Sequence, residues 1–271
     1  MLNIMSQAKN AISAYNTALQ ATSANIAGMN VTGYKRIDVS FQTIFERILN
    51  QGTAATNTSG GTNPKQFGQG MALSNVSLDF SSGEYTSGTS ADLAISGRGL
   101  FIFSPDGGDS YLYGRAGNFE IDLNGSLLSN NMQVYGLNSS GSLVPIQNLP
   151  SGNKSDYQWT ADGTLEYSSD GGTTYTSTGY QIALTYFENP NGLAQAQGTS
   201  FAETPASGSP ATAQAPGGAV GSVRAGQLEQ SNVFYLGESL DALELQRAME
   251  GNLTMVRLAS DMISTFINKI S

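Results

Sequence analysis

The chain is 271 residues long, carries a formal net charge of -9, and has charged residues at only 12% of positions, about half the share of ~25% usual in globular proteins. It contains neither Cys nor His, which removes disulfides, the thiol nucleophile, the near-neutral proton shuttle and the commonest metal ligands together. Its 12 Lys and Arg are scattered, so there is no basic footprint for nucleic acid, and no apolar run reaches the ~20 residues of a membrane span.

Residues 1 to 27 read as a helix. Apolar or small residues recur at Met1, Met5, Ala8, Ile12, Tyr15, Leu19, Thr22 and Ile26, in alternating steps of four and three that make a heptad seam. Ala11 and Ala18 flank the seam and permit close approach. Gly28 and the Asn30-Val31-Thr32-Gly33 stretch end the helix. The segment has no basic leader ahead of a solid apolar core, so no cleaved secretory signal is expected. Such a chain either stays inside the cell or leaves by a route that cleaves no signal.

Residues 50 to 63 form a polar, Gly-rich linker. The middle of the chain then turns to period two with turn signals. Leu93-Ala94-Ile95 leads through Ser96-Gly97-Arg98-Gly99 into Leu100-Phe101-Ile102-Phe103. Strands are expected at 111–113, 119–121 and from Leu127, separated by turns at Pro105-Asp106-Gly107-Gly108 and Asp122-Leu123-Asn124-Gly125. Residues 157–187 read as a small hairpin set turning at Asp162-Gly163 and Asp170-Gly171-Gly172. Residues 204–219, rich in Pro, Ala, Ser and Gly, read as a loop.

The last segment is helical again. Leu245, Ala248, Asn252, Met255, Ala259, Met262 and Phe266 step by three and four, with a second row at Met249, Leu253, Val256, Ile263, Ile267 and Ile270. This apolar face is wide. It suits either docking on one core or burial on several sides, inside a bundle or polymer.

Little catalytic chemistry is left. Asp106, Asp109, Asp122 and Asp162 are the carboxylates that a carbohydrate-acting site would draw on, yet turn geometry already accounts for Asp at each of these places. No calcium loop is complete, Gly97-Arg98-Gly99 lacks the rest of a phosphate cradle, and without His no Ser triad forms. No enzyme activity, cofactor, metal or small-molecule substrate is expected. A heptad at each end of a chain points instead to self-assembly, with paired terminal helices whose open seams recruit the next copy by a heterologous contact.

Several stretches resemble, in order, the flagellar hook and rod protein family. Asn25-Ile26-Ala27-Gly28 with Thr32-Gly33-Tyr34-Lys35 is similar to the family's Asn-hydrophobic-Ala-Asn and Thr-x-Gly-aromatic-Lys motif, departing at Gly28. Gly60 to Gly70 resembles the segment entering the family's β domain. Asp92-Leu93-Ala94-Ile95-Ser96-Gly97-Arg98-Gly99-Leu100-Phe101 resembles its Asp-Leu-Ala-Ile-x-Gly-x-Gly-Phe-Phe signature. Arg115-Ala116-Gly117-Asn118-Phe119 resembles the following strand pair, and Phe187 to Leu193, Leu228-Glu229-Gln230-Ser231-Asn232-Val233 and Gln246-Arg247-Ala248 fit the same family. Leu236 to Leu245 lacks the family's usual Met-Ile run.

The resemblance implies a mixed fold: N- and C-terminal α-helices forming a coiled-coil-like polymerisation domain (1–34 with 232–271), a linker (35–70), an all-β body (71–140 with 181–231) and a small β insertion (141–180). It implies a bacterial axial subunit exported unfolded by the flagellar type III apparatus and building a hollow, torque-transmitting tube. Its partners would be itself and adjacent rod, hook-cap or hook–filament junction proteins. Gly60-Gly61-Thr62-Asn63 and Met132-Gln133-Val134-Tyr135-Gly136 tilt the reading towards a short hook protein, with the distal rod as the alternative. A secreted carbohydrate-binding or carbohydrate-acting β protein is the reading from a different class. The expected polymer interface comprises Met5, Ala8, Ile12, Tyr15, Leu19, Ile26, Leu245, Ala248, Met255, Ala259, Met262 and Phe266. The wider C-terminal face predicts that this helix is the inner, more enclosed partner.

Overall fold

A computed structural model describes residues 2–50, 54, 60–63 and 65–270. Met1 of the expected seam, Pro64, and residues 51–53 and 55–59 of the expected linker lie outside the described residues. The chain divides into two compact units. One comprises Met1–Ile26, Ile37–Ser77 and Tyr235–Ser271, and the other Ala27–Arg36 and Leu78–Phe234.

The first unit holds two long helices, α1 (Leu2–Gly28) and α2 (Tyr235–Ile270), and a two-stranded sheet of Ile37–Asn50 with Lys65–Leu78. No Gly or Pro interrupts α1 before Gly28. α2 carries Glu238 in its first turn and Lys269 in its last, charges that complement the partial charges at the two ends of a helix. The stretch 35–70, expected as a linker, differs in holding the whole first strand and the start of the second. The physical signal is the alternation of Ile37, Val39 and Phe41 with Asp38, Ser40 and Gln42, the period of a half-buried strand. The ring of Phe41 meets that of Tyr15 of α1 edge-on, with centroids 5.9 Å apart.

The second unit is a sheet-built body whose assigned pairings are all antiparallel. Leu100–Ser104 and Met132–Leu137 are its hubs. The first pairs with Leu112–Gly114, Leu184–Thr185 and the second hub. The second also takes Leu127–Ser129, Leu143–Pro145 and Thr176–Ile182. The hairpin Leu127–Ser129 to Met132–Leu137 turns through Asn130 and Asn131, both at positive φ (48° and 67°), the backbone that a two-residue turn with the sheet's own twist requires. Two further ribbons, Tyr85–Ser87 with Gln227–Glu229 and Leu93–Ser96 with Ser222–Ala225, bring distant parts of the chain together.

Besides Leu143–Pro145, the region read as an insertion supplies the strands Tyr157–Trp159 and Thr164–Tyr167 and most of Thr176–Ile182, and the chain returns to the hub through Gln181↔Leu137. Its Tyr157, Trp159 and Leu165 belong to the same apolar core as Phe101, Phe119 and Val134. The rings of Phe101, Phe119 and Trp159 form an edge-on series with centroids 5.2 and 5.9 Å apart. Trp159 Nε1 donates to the Ala91 carbonyl at 2.8 Å, which satisfies the one polar atom of a buried indole. Lys154 adds an ion pair to Asp92 at 2.6 Å.

Candidate functional site

The two helices meet where Asn25 Nδ2 donates to Glu238 Oε2 at 3.1 Å. Asn25 also closes a two-way bond with the first strand: its Oδ1 accepts from Ile37 N at 2.8 Å and its Nδ2 donates to Ile37 O at 2.9 Å. A primary amide has an acceptor and a two-hydrogen donor on one short stem. It therefore joins a helix end, a strand start and the first turn of α2 from one buried position.

Seven-residue steps away from that bond lead to shielded residues on both helices. On α1 they reach Ala18 and Ala11; on α2 they reach Leu245, Asn252 and Ala259. This is the pattern of an antiparallel pair with small residues on the α1 side. The most buried stripe of α1 is Ala8, Ala11, Ala14, Ala18, Thr22 and Asn25. Of the expected interface residues, Ala8 lies on it, whereas Met5, Ile12, Tyr15, Leu19 and Ile26 stand beside it, half-exposed. On α2, Ala259 is buried, Leu245 and Ala248 are half-buried, and Met255, Met262 and Phe266 are exposed. The single chain also leaves Leu236, Leu240, Leu243, Leu253, Leu258 and Ile267 of α2 exposed. An apolar surface of this extent on one element marks a contact with another molecule.

The second unit contains a buried charged junction. Glu229 Oε1 accepts from Lys35 Nζ at 2.7 Å and Glu229 Oε2 accepts from Arg115 Nη1 at 3.0 Å, with all three side chains almost wholly shielded. Gly83 N also donates to Glu229 Oε1 at 3.1 Å. Lys35 Nζ donates further to the Ser81 carbonyl at 2.7 Å, and Arg115 Nη2 to the Gly97 carbonyl at 2.5 Å. Two cations thus share one carboxylate and main-chain carbonyls take up further donors, while Arg115 Nε is buried with no hydrogen-bond partner among the described residues. Burial pushes the Lys35 ammonium below its ordinary value; the Glu229 carboxylate pulls it back up, and the neighbouring Arg115 pushes it down again.

Backbone bonds fix the same junction. Gly33 N donates to Glu229 O at 2.9 Å, and Asp79 N to Arg36 O at 2.8 Å. Arg36 N donates to Asn232 Oδ1 at 2.8 Å, while Asn232 Nδ2 donates to Asp79 O at 2.8 Å. Gly33 sits at φ +70°, and a Cβ there would stand 2.5 Å from Ala116 N. Both the conformation and the clearance demand glycine.

The motif residues quoted from the sequence therefore converge in large part. Gly33, Lys35, Gly97, Glu229 and Asn232 belong to the charged junction, and Asn25 to the helix junction. Tyr34 is buried, its ring where a Cβ on Gly28 would fall. Gly99 N donates to Val220 O. Leu228 lies in the ribbon with Thr86, and Ser231 Oγ accepts from Val233 N at 3.3 Å. Thr32 is half-exposed, and Ala27, Gln246 and Arg247 are exposed. Sequence reasoning missed the pairing of Arg115 with Glu229, residues 114 positions apart. The available signal was that each stands as a lone charge in an uncharged stretch. The four Asp residues considered for carbohydrate chemistry lie in turns. Asp106 Oδ2 accepts from Ser110 Oγ, and Asp122 accepts from Leu123 N and Asn124 Nδ2, so these two brace their own loops.

No protein-family model matches the chain. It is 30% identical over 256 residues to the flagellar basal-body rod protein FlgG of Bacillus subtilis, covering 94% of each chain. It is 31% identical over 259 residues to the flagellar basal-body rod protein FlgG of Agrobacterium fabrum, covering 93% of each. The flagellar hook protein FlgE of Borreliella burgdorferi is 34% identical over 125 residues, 45% of this chain and 28% of that protein.

Proposed function

The chain belongs to the flagellar hook and rod protein family, and we propose that within it the chain is a subunit of the distal rod. The observation that carries this reading is the end-to-end correspondence with rod proteins, against matches to hook proteins that cover about a third of the hook chain or less. It reverses the tilt towards a hook drawn from Gly60-Gly61-Thr62-Asn63 and Met132 to Gly136.

In this reading the protein works by assembly and not by chemistry. Exposed apolar residues on α2 and half-exposed ones on α1 supply the driving force, because each is covered only when copies meet. The β-rich unit forms an outer layer that bears load. Torque applied to such a layer has to pass through the segments that leave it, and these include residues 33–36, 79–83 and 229–232, which the Lys35–Glu229–Arg115 junction and Asn232 bind together. A buried charge network held by two ion pairs and several main-chain bonds favours one geometry. The chain would reside in the flagellum with rod and hook neighbours, delivered by the flagellar export apparatus. C-terminal helices more enclosed than N-terminal ones remain the expected arrangement inside the tube.

Electron microscopy of cells lacking this chain tests the assignment. Loss of every structure beyond the proximal rod is expected. Loss of the curved joint alone, with the rod intact, would make the chain a hook subunit.

A further inference from the structure

We propose that the Asp106–Gly107 link is a covalent modification site. It rearranges to isoaspartate, the substrate of isoaspartyl carboxyl methyltransferases, while the near-copy of this loop at Asp170–Gly171 is held back from the same reaction.

The chemistry needs an unhindered glycine amide. The glycine nitrogen attacks Cγ of the preceding Asp or Asn and gives up its proton as a succinimide ring closes. Water leaves from Asp, ammonia from Asn. Water then reopens the ring; opening at the α carbonyl carries the main chain through Cβ and Cγ and frees an α-carboxylate.

Asp-Gly or Asn-Gly occurs at five places, beginning at Asp106, Asn124, Asp162, Asp170 and Asn191. At three of them the amide is engaged. Gly125 N donates to Asp122 O at 2.8 Å, Gly163 N to Thr160 O at 3.0 Å and Gly192 N to Asn189 O at 3.1 Å. These glycines are also packed: a Cβ would stand 2.5 Å from Leu149 O, 2.7 Å from the Ile182 side chain and 2.6 Å from Ala206 C. Gly107 and Gly171 have neither restraint. Both are exposed with open space around them, and their amides have no acceptor among the described residues.

The carboxyl separates these last two. Both loops read Ser-x-Asp-Gly-Gly-x-(Ser or Thr)-Tyr, at 104–111 and 168–175. In each, the second Gly N donates to the Ser Oγ at 2.8 Å. Asp170 accepts from Thr174 Oγ1 at 2.7 Å, Ser168 Oγ at 2.9 Å and Thr174 N at 3.2 Å. The bonds from Thr174 and Ser168 hold its carboxyl below the ordinary value, because they favour the charged form. Only a protonated carboxyl can lose water, so a side chain both tethered and kept ionised closes the ring slowly. Asp106 accepts one side-chain bond, from Ser110 Oγ at 2.7 Å.

Full-length chain is aged in mildly acidic buffer, folded and in urea. Isoaspartate at each site is located by digestion and electron-transfer fragmentation, and its total is checked by methyl transfer from S-adenosylmethionine. Each site's folded rate is divided by its own unfolded rate, which cancels intrinsic differences between Asp and Asn. Asp106 should show the highest ratio, several-fold above Asp170. Ser168→Ala with Thr174→Val should raise the Asp170 ratio several-fold and leave that of Asp106 unchanged. Equal ratios at the two loops in the wild type, or a higher ratio at Asn124, Asp162 or Asn191 than at Asp106, would overturn the proposal. An Asp170 that stays inert in the double variant would overturn it too, since bracing would then not be what tells the loops apart.

Discussion

Replacing Glu229 by Gln keeps the shape of the junction and removes the carboxylate that Lys35 and Arg115 share. Gln still accepts from Lys35 or Gly83, but the two cations then stay buried without the carboxylate they shared, held by the Ser81, Ile95 and Gly97 carbonyls. Breaking a buried ion pair from one side costs about 3–5 kcal/mol. Arg115 cannot shed its proton, whereas Lys35 can. Neutralising a lysine of ordinary pKa 10.5 at pH 7 costs about 4.8 kcal/mol, at ~1.36 kcal/mol per pH unit, which caps the Lys35 share of the penalty. At pH 9.5 the same cap falls to about 1.4 kcal/mol.

The direction of the pH effect follows from linkage. In the native wild type, Lys35 is already held below 10.5. Its desolvation penalty is therefore full below the folded pKa and fades as pH rises from there to 10.5. Removing Glu229 removes the main influence raising that pKa, so in the variant the fading begins at lower pH. Urea unfolding should show Glu229→Gln destabilised by about 3–5 kcal/mol at pH 7, with an unchanged urea slope and a gap to wild type that narrows towards pH 9.5. A variant within about 0.5 kcal/mol of wild type at pH 7, the range of an ordinary surface change, would refute the reasoning. So would a gap that widens in alkali.

Three further substitutions probe other joints of the molecule. Asn25→Ala removes the bonds to the Ile37 amide and carbonyl and one bond to Glu238, and should cost about 1–3 kcal/mol from the buried Ile37 amide left unsatisfied, read by thermal or urea unfolding; a change below about 0.5 kcal/mol would mean the amide holds nothing. Gly33→Ala should cost clearly more than Gly107→Ala, because both have positive φ but only Gly33 has main-chain atoms where the Cβ would go; the positive-φ share common to both is about 1 kcal/mol, and equal losses in a parallel urea series would count against the close packing at Ala116. Trp159→Phe should lower stability by about 1–3 kcal/mol through the lost bond to Ala91 and the vacated ring volume, measured by urea unfolding followed by far-UV circular dichroism; an unaffected variant would show that the three strands at 157–182 are not part of the main core.

The helices were legible because their signal is local. Heptad spacing and the Gly28 stop are visible in a window of a few turns, and α1 ends at Gly28. The start of α2 at Tyr235 precedes the apolar rows that announced it, since Leu236, Leu240 and Leu243 face outward and break the expected seam. The strands around Phe101 and Phe103 were readable from their flanking glycines and their apolar run. The strand at Ile37 was masked by the Gly-rich residues that follow it. The charged junction was unreadable for a different reason: Lys35 and Glu229 are 194 residues apart, and nothing in either stretch names the other. Motif resemblance nevertheless picked out both, because a side chain held by a single distant partner is as constrained as one held by its neighbours.

The shared core of Trp159, Tyr157 and Leu165 with Phe101 bears on how this protein can be altered in length. Excising residues 141–180 would not trim an appendage; it would unroof the sheet and leave Phe119 facing water. Added sequence has to enter at a tip instead. The turn at Asp170–Thr174 is closed by its own bonds, with Asp170 accepting from Thr174 N and Oγ1 and from Ser168 Oγ, and Gly171 has open space around it. A peptide epitope or fluorophore tag grafted there would leave the sheet beneath it closed.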